Sequence, residues 1–243
     1  MMIAVALAFL AGVTKGITGF ALPMVLISGL GTFLPADQAL AGLILPTLVT
    51  NLWQAARQGL AAAFASSKRH WRFIMVALSG LAVMAQLVTR MPANVLFLAL
   101  GVPVTVFAVL QLIGWRPQVD PDRRRKAEFG FGAIAGITGG LSGVWGPPTV
   151  MYLTAMNTPK LEHVRVQGVV YSTGAVGLVL AHLNSGILDA RGLALSSMLV
   201  VPACVGLAAG FAILDRMDQE KFRWAILIVL VVAGLNLIRR GLI

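Results

Sequence analysis

The sequence predicts an all-α protein that crosses a membrane several times. Of its 243 residues, 58% are hydrophobic and only 12% are charged, and the mean hydropathy is +0.87. Apolar runs of about 20 residues recur along the whole chain, and that is the length at which a helix spans a bilayer. These runs are longer than the alternating strands of an outer-membrane barrel. The composition also disfavours a water-soluble globular domain.

Charged or proline-containing gaps divide the chain into about eight apolar segments. The most polar stretch, residues 114–128, lies at the middle of the chain. We therefore predict a first transmembrane repeat at residues 1–114, a cytoplasmic basic linker at 115–127 and a second transmembrane repeat at 128–243. The predicted apolar segments are 2–29, 37–62, 71–89, 93–114, 128–154, 164–184, 192–213 and 222–238.

The two halves of the chain are related by an internal repeat. Residues 11–28 recur at 135–152, an offset of 124, with six of 18 positions identical. Residues 80–91 align with 206–217, an offset of 126, with five of 12 positions identical. Two pseudosymmetric repeats of four segments each are the predicted architecture. The identical positions of the first match are Ala11/Ala135, Gly12/Gly136, Thr14/Thr138, Gly16/Gly140, Gly19/Gly143 and Pro23/Pro147.

Each repeat opens with a segment in which glycines are followed by proline, so we predict an interrupted helix in each half. Irregular backbone at membrane depth is tolerated only where it is buried in protein or lines an aqueous cavity. Interrupted segments at corresponding positions of two halves indicate the binding site of a transporter. The free N–H groups at the start of a half-helix favour an anion. We expect the two interruptions to meet near the middle of the membrane.

The net charge is +10, and nine of the 19 Lys and Arg residues lie in two gaps, as in cytoplasmic loops. This clustering disfavours a nucleic-acid partner. In the second half, a hairpin-like fifth segment places five basic residues on the cytoplasmic side against three for a single span, which favours inverted repeats. The two clusters are Arg57, Lys68, Arg69 and Arg72, and Arg116, Arg123, Arg124, Arg125 and Lys126.

Lys15 is the most informative single residue, because it interrupts an apolar run that contains no acidic residue. A lysine at the centre of a membrane helix costs about 2.5–3.5 kcal/mol on insertion scales. A bound anion would neutralise it, which makes Lys15 a candidate substrate ligand. The alternative is that Lys15 extends to the membrane surface from a short or re-entrant segment.

The other candidate residues are small or polar groups in and beside the interrupted segments. For the glycines, close helix packing is the competing explanation. For polar groups inside apolar runs, Gln54 and Gln167 among them, it is an interhelical hydrogen bond. The full set of predicted substrate-binding residues is Thr14, Lys15, Gly16, Thr18, Gly19, Asn51, Thr138, Gly139, Gly140, Ser142, Gly143, Tyr171 and Ser172.

Three common enzyme motifs are missing from the sequence. It has no Walker P-loop, no HExxH and no GxSxG pattern, and its one cysteine, Cys204, excludes a metal site built from several cysteines. We therefore expect no enzymatic activity, no bound cofactor and no metal. The expected partners are a small anion and the lipid bilayer. The sequence does not decide whether the chain forms a homo-oligomer.

The duplicated glycine block followed by proline, at the start of each half of an eight-segment chain, resembles the sulfite exporter TauE/SafE family of bacterial membrane permeases. The resemblance implies a multi-pass protein of the bacterial cytoplasmic membrane that moves sulfite or organosulfonates outward. It also implies that residues 12–23 and 136–148 line the substrate path. In the first block, Phe20, Ala21 and Leu22 stand where further glycines are often found in the family.

Residues and resemblance together predict a secondary transporter of small sulfur-containing anions that works by alternating access. Two other classes stay open. An anion channel would use the interruptions as a static filter, and an accessory subunit would use its glycine faces to bind another membrane protein.

Overall fold

A computed structural model describes residues 2–85, 93–115, 118–142, 145–184 and 188–242. Across these ranges the chain forms α-helices, one 3-10 turn at Pro121–Arg123 and no strand. The all-α prediction is confirmed. The helices are α1 Met2–Thr18, α2 Leu22–Leu30, α3 Ala36–Ala56, α4 Leu60–Arg69, α5 Trp71–Ala85, α6 Ala93–Leu112, α7 Arg124–Ser142, α8 Gly146–Ala155, α9 Lys160–Asn184, α10 Ala190–Arg216 and α11 Gln219–Leu242.

Several helices have the length and composition of membrane spans. Among the described residues, Asp37–Ala56, Ala190–Arg216 and Gln219–Leu242 are long and apolar enough to cross a bilayer. Shorter apolar helices cover Met2–Thr18, Trp71–Met84 and Phe97–Leu112. The chain is therefore a multi-pass membrane protein, while the number of eight segments stays a prediction.

The first apolar segment is interrupted where glycine and proline predicted it. α1 ends at Thr18 and α2 begins at Leu22, with Pro23 in the first turn of α2. Gly19 (φ 83°) and Ala21 (φ 72°) between them adopt left-handed backbone, which ends the helix. The fifth apolar segment likewise contains two helices, α7 and α8, and α8 begins with Gly146, Pro147 and Pro148.

The helices group into two compact units, and each unit takes helices from both halves of the sequence. The first unit contains Met1–Ala63 and Val164–Asp218, in which α10 packs against α1 and α3. The second contains Phe64–His163 and Gln219–Ile243, in which α5 packs against α7 and α6 against α11. Each unit thus combines helices from both sequence halves and does not correspond to either half alone.

In the first unit, glycines bring α1 and α10 into backbone contact. A Cβ added at Gly12 would lie 2.9 Å from the Leu207 nitrogen and 3.0 Å from the Ala203 carbonyl carbon. From the other side, a Cβ at Gly206 would lie 3.0 Å from the Val13 nitrogen. Small residues permit this close approach between membrane helices.

In the second unit, α5 and α7 cross in the same way. A Cβ added at Gly136 would lie 2.7 Å from the Ala77 carbonyl oxygen and 3.1 Å from the Leu81 nitrogen. One added at Gly80 would lie 3.6 Å from the Ile137 nitrogen. These residues correspond to those of the α1–α10 crossing by the offsets of 124 and 126 found in the sequence.

We expect Gly136→Ala to lower the melting temperature of the purified protein in detergent. The added methyl group would clash with backbone atoms, which cannot relieve the clash by a change of rotamer as a side chain can. Overpacking of this kind costs about 1–3 kcal/mol. Gly130→Ala on the same helix is the matched control, because nothing lies within 4 Å of its added Cβ. Equal melting temperatures for the two variants would contradict close packing at Gly136.

Candidate functional site

The interruption after α1 is held by hydrogen bonds on both sides of Gly19. The Gly19 amide donates to the Lys15 carbonyl at 2.6 Å. The Gly19 carbonyl accepts from Nε2 of Gln54 at 2.9 Å. In a continuous helix this carbonyl would accept from residue 23, but Pro23 has no N–H, so the side-chain amide of Gln54 supplies the missing donor.

Lys15 lies one turn before the interruption and is 1% exposed. Its Nζ donates to Oδ1 of Asn51 on α3, and Nδ2 of Asn51 donates to the Tyr171 carbonyl on α9 at 3.1 Å. Across the described ranges, no carboxylate forms an ion pair with Lys15. By contrast, Arg57 at the end of α3 is 2.5 Å from a carboxylate oxygen of Asp215.

Two buried glutamines flank the interruption. Nε2 of Gln54 also donates to the Val164 carbonyl at 2.7 Å, while its Oε1 has no partner within the described part of the chain. Gln167 is 0% exposed and lies against Gly19, and neither of its amide atoms has a hydrogen-bond partner there. Most buried polar groups in proteins have a hydrogen-bond partner, so these amide atoms can pair with a water or a ligand.

The close approach of α9 to α3 depends on Gly168. A Cβ at this position would lie 2.5 Å from the Ala55 nitrogen and 2.9 Å from the Gln54 carbonyl carbon. The neighbouring Gln167 therefore lies beside α3 and the interruption. Because side chains three or four residues apart share a helix face, Asn51 and Gln54 belong to one face of α3.

Six residues from α1, α3, α9 and the interruption thus form one polar group in the first unit, which we call the Lys15 cluster. It offers one cationic donor and several amide groups, and some of those amide atoms are unpaired. Charge-assisted hydrogen bonds from such donors are suited to an oxyanion. The Lys15 cluster consists of Lys15, Gly19, Asn51, Gln54, Gln167 and Tyr171.

Of the predicted site residues in the first unit, four belong to this cluster and four lie beside it. The hydroxyls of Thr14, Thr18 and Ser172 each donate to the carbonyl four residues earlier in their own helix. Gly16 packs against α10, where an added Cβ would lie 2.5 Å from the Leu207 carbonyl oxygen. These four residues shape the helices that carry the cluster.

The predicted residues of the second repeat belong to the second unit. Thr138, Gly139, Gly140 and Ser142 are on α7, and Gly143 lies outside the described residues. Thr138 is buried and donates to the Ala135 carbonyl at 3.3 Å. A Cβ at Gly139 would lie 3.1 Å from Cβ of Trp145.

The sequence prediction did not select Gln54 and Gln167. Both interrupt apolar runs, but neither has a polar counterpart in the other repeat. A stronger signal is their spacing along the helix, because Gln54 follows Asn51 by three residues and Gln167 precedes Tyr171 by four. Each pair therefore shares a helix face.

The helices and the buried polar cluster define a class, a multi-pass helical membrane protein with an internal cation beside an interrupted helix. A family model described as Sulfite exporter TauE/SafE matches residues 4–237. The chain belongs to this family, as its paired glycine and proline motifs predicted. No curated protein and no solved structure matches the chain.

We expect Gly19→Ala to destabilise the protein more than Gly59→Ala does. Both glycines have φ near 90°, at 83° and 91°, so each alanine carries the left-handed penalty of about 1–2 kcal/mol. Only at position 19 does the added Cβ also overlap the side chain of Gln167, since nothing lies within 4 Å at Gly59. Melting temperatures in detergent check this, and equal losses would show that Gln167 does not pack on Gly19.

Proposed function

We propose that this protein is a secondary transporter of small sulfur-containing oxyanions and that the Lys15 cluster binds the anion. The family match supports a membrane carrier of sulfite or related sulfonates. The choice between these anions, the binding residues and the mechanism are part of the proposal. The observation that carries it is the full burial of Lys15 beside an interrupted helix, with a neutral amide as its hydrogen-bond partner.

A buried ammonium group needs compensation that an amide alone does not provide. Asn51 donates one of its amide hydrogens to the Tyr171 carbonyl and offers its oxygen to Lys15. This arrangement orients the ammonium group but leaves its charge in place. A monoanion or dianion would supply the missing negative charge, and transporters use interrupted helices for such sites.

The amides of Gln54 and Gln167 suit an anion with several oxygens. Sulfite and sulfonates present three oxygens around one sulfur, each able to accept an N–H group. Gln167 has an amide nitrogen free for this purpose, and Gln54 can exchange one backbone carbonyl for the ligand. These donors would then favour the binding of a sulfur oxyanion over chloride, because chloride has no preferred hydrogen-bond directions.

Alternating access between two inverted repeats, at residues 1–114 and 128–243 and joined by the linker at 115–127, is the proposed mechanism. The matched crossings at Gly12 and Gly136 support equivalent roles for the first helix of each repeat. The fifth apolar segment, which contains α7 and α8, would then contribute to the same cycle. We further propose that the protein exports its substrate across the bacterial cytoplasmic membrane without a bound cofactor or an enzymatic step.

We expect Lys15→Met to lower sulfite counterflow in proteoliposomes about 10-fold or more, because hydrogen bonds to charged groups contribute about 1.5–3 kcal/mol. Methionine retains the length of the side chain without its charge. The melting temperature should stay equal or rise, because the variant removes a buried charge. Radiolabelled sulfite uptake against an internal sulfite load measures the exchange.

Lys68→Met is the matched control, because Lys68 is exposed on α4. It should exchange sulfite at the wild-type rate. Unchanged exchange by Lys15→Met would exclude Lys15 from the anion site. Uptake by wild-type protein that does not saturate and shows no exchange would favour the channel, while no uptake of any tested anion would favour the accessory subunit.

We expect Gln167→Met to weaken the apparent affinity for sulfite about 5-fold and to raise the melting temperature. An unpaired buried amide costs about 1–3 kcal/mol, so an apolar side chain of similar volume should stabilise the unliganded protein. A KM measurement and a melting curve on the same preparation give both values. Lower stability with an unchanged KM would assign Gln167 a purely structural role.

A further inference from the structure

The second unit contains a buried hydrogen-bonded chain centred on His70, in the basic gap between α4 and α5. His70 is 2% exposed. Its Nδ1 lies 2.7 Å from the hydroxyl of Tyr152 on α8, and its Nε2 lies 3.3 Å from Oε1 of Glu162 on α9. Tyr152 is fixed in turn by a ring stack on Phe73, with centroids 4.3 Å apart.

The chemistry of the partners determines the direction of this chain. An ionised carboxylate only accepts hydrogen bonds, so Nε2 of His70 carries the hydrogen that faces Glu162. In the neutral ring, Nδ1 is then an acceptor, and the Tyr152 hydroxyl donates to it. A proton that arrives at Nδ1 reverses this second bond without breaking the chain.

Charged or titratable groups face His70 from four helices. The pKa of His70 is lowered, chiefly by burial and also by the positive charges of Arg124 and Arg69, while the hydrogen bond and charge of Glu162 oppose this shift. His70 is therefore neutral at neutral pH and gains its charge on acidification. The facing groups are Arg69 on α4, Arg124 with its partner Glu128 on α7, Tyr152 on α8, and Glu162 and the neighbouring His163 on α9.

We propose that His70 is a proton-binding site whose occupancy governs the rate of anion transport. Its position between a phenol and a carboxylate lets both ring nitrogens keep a hydrogen-bond partner whether the ring is neutral or charged. The ligand is the proton itself, and its effect on transport rests on the proposed function above.

Helix α9 connects this site with the Lys15 cluster along the chain. Glu162 lies in the first turn of α9, and Gln167 and Tyr171 follow on the same helix. Protonation of His70 turns its hydrogen bond to Glu162 into an ion pair, which holds the start of α9 more strongly. The second unit thus supplies a charge-dependent restraint on a helix that carries two proposed anion ligands.

The test uses two substitutions that act on His70 in opposite directions. Glu162→Gln removes the group that favours the charged imidazole, so the titration should move to lower pH. Arg69→Gln removes a cation that disfavours it, so the titration should move to higher pH. Because the Arg69 side chain is 60% exposed, we expect Arg69→Gln to leave the protein folded.

The first readout is NMR of the full-length protein in nanodiscs, labelled with ¹⁵N-histidine, between about pH 5 and 8. His70→Gln assigns the His70 resonance among the three histidines. Arg125→Gln is the matched control, because Arg125 is exposed beside Phe129 and does not act on His70. The second readout is sulfite counterflow over the same pH range, with each variant compared with wild type at equal pH because sulfite itself titrates.

We expect the midpoints of the His70 titration and of the counterflow pH profile to shift to lower pH in Glu162→Gln and to higher pH in Arg69→Gln. Both midpoints should stay unchanged in Arg125→Gln. His70→Gln should lose this component of the pH dependence. A His70 resonance that does not titrate, or that moves the same way in both variants, would overturn the proton site. Opposite NMR shifts with unmoved transport profiles would overturn its role in transport. If wild type exchanges no anion but His70 titrates as expected, the proposed function fails and the proton site stands.

Discussion

A helix that ends inside an apolar protein leaves backbone groups that require partners, and much of the first unit follows from satisfying them at Gly19. The left-handed turn ends α1, and the Gly19 carbonyl then receives a hydrogen bond from Gln54. This requires α3 to pass beside the turn with a polar face. Gln167 comes to the same place because Gly168 lets α9 approach α3 at backbone distance. One broken helix therefore determines where two others, α3 and α9, place their amides.

The two units use the same packing solution for the first helix of each sequence half. Gly12 on α1 meets Ala203 and Leu207, and Gly136 on α7 meets Ala77 and Leu81. In lipid, van der Waals contact between closely approaching backbones contributes much of the association of helices. Gly12 and Gly136 therefore serve close packing, whereas Gly19 lies where α1 ends. Close packing at one glycine does not argue against an interruption at another.

The buried ionisable groups divide into paired and uncompensated ones. Glu128 lies between Arg72 and Arg124, and Glu162 lies between Arg69 and His70. Each of these carboxylates thus has basic partners, and a proton on His70 changes the local balance of charge. Lys15 has no such carboxylate among the described residues. A buried amine without a carboxylate partner is suited to an anionic ligand, whereas a buried imidazole within a network of paired charges is suited to a proton.

The sequence by itself determined the helical membrane class, the family and the interruption of the first apolar segment, and it selected Lys15 as a candidate ligand. Each of these follows from local chemistry, such as apolar runs, left-handed glycine, proline in a first turn, or a charge in an apolar segment. Only the tertiary structure decided that α1 pairs with α10 and α5 with α7, that Asn51 contacts Lys15, and that Gln54 and Gln167 flank Gly19. His70, Tyr152 and Glu162 also meet only there, because partners 82 and 92 residues apart leave no local pattern in a sequence.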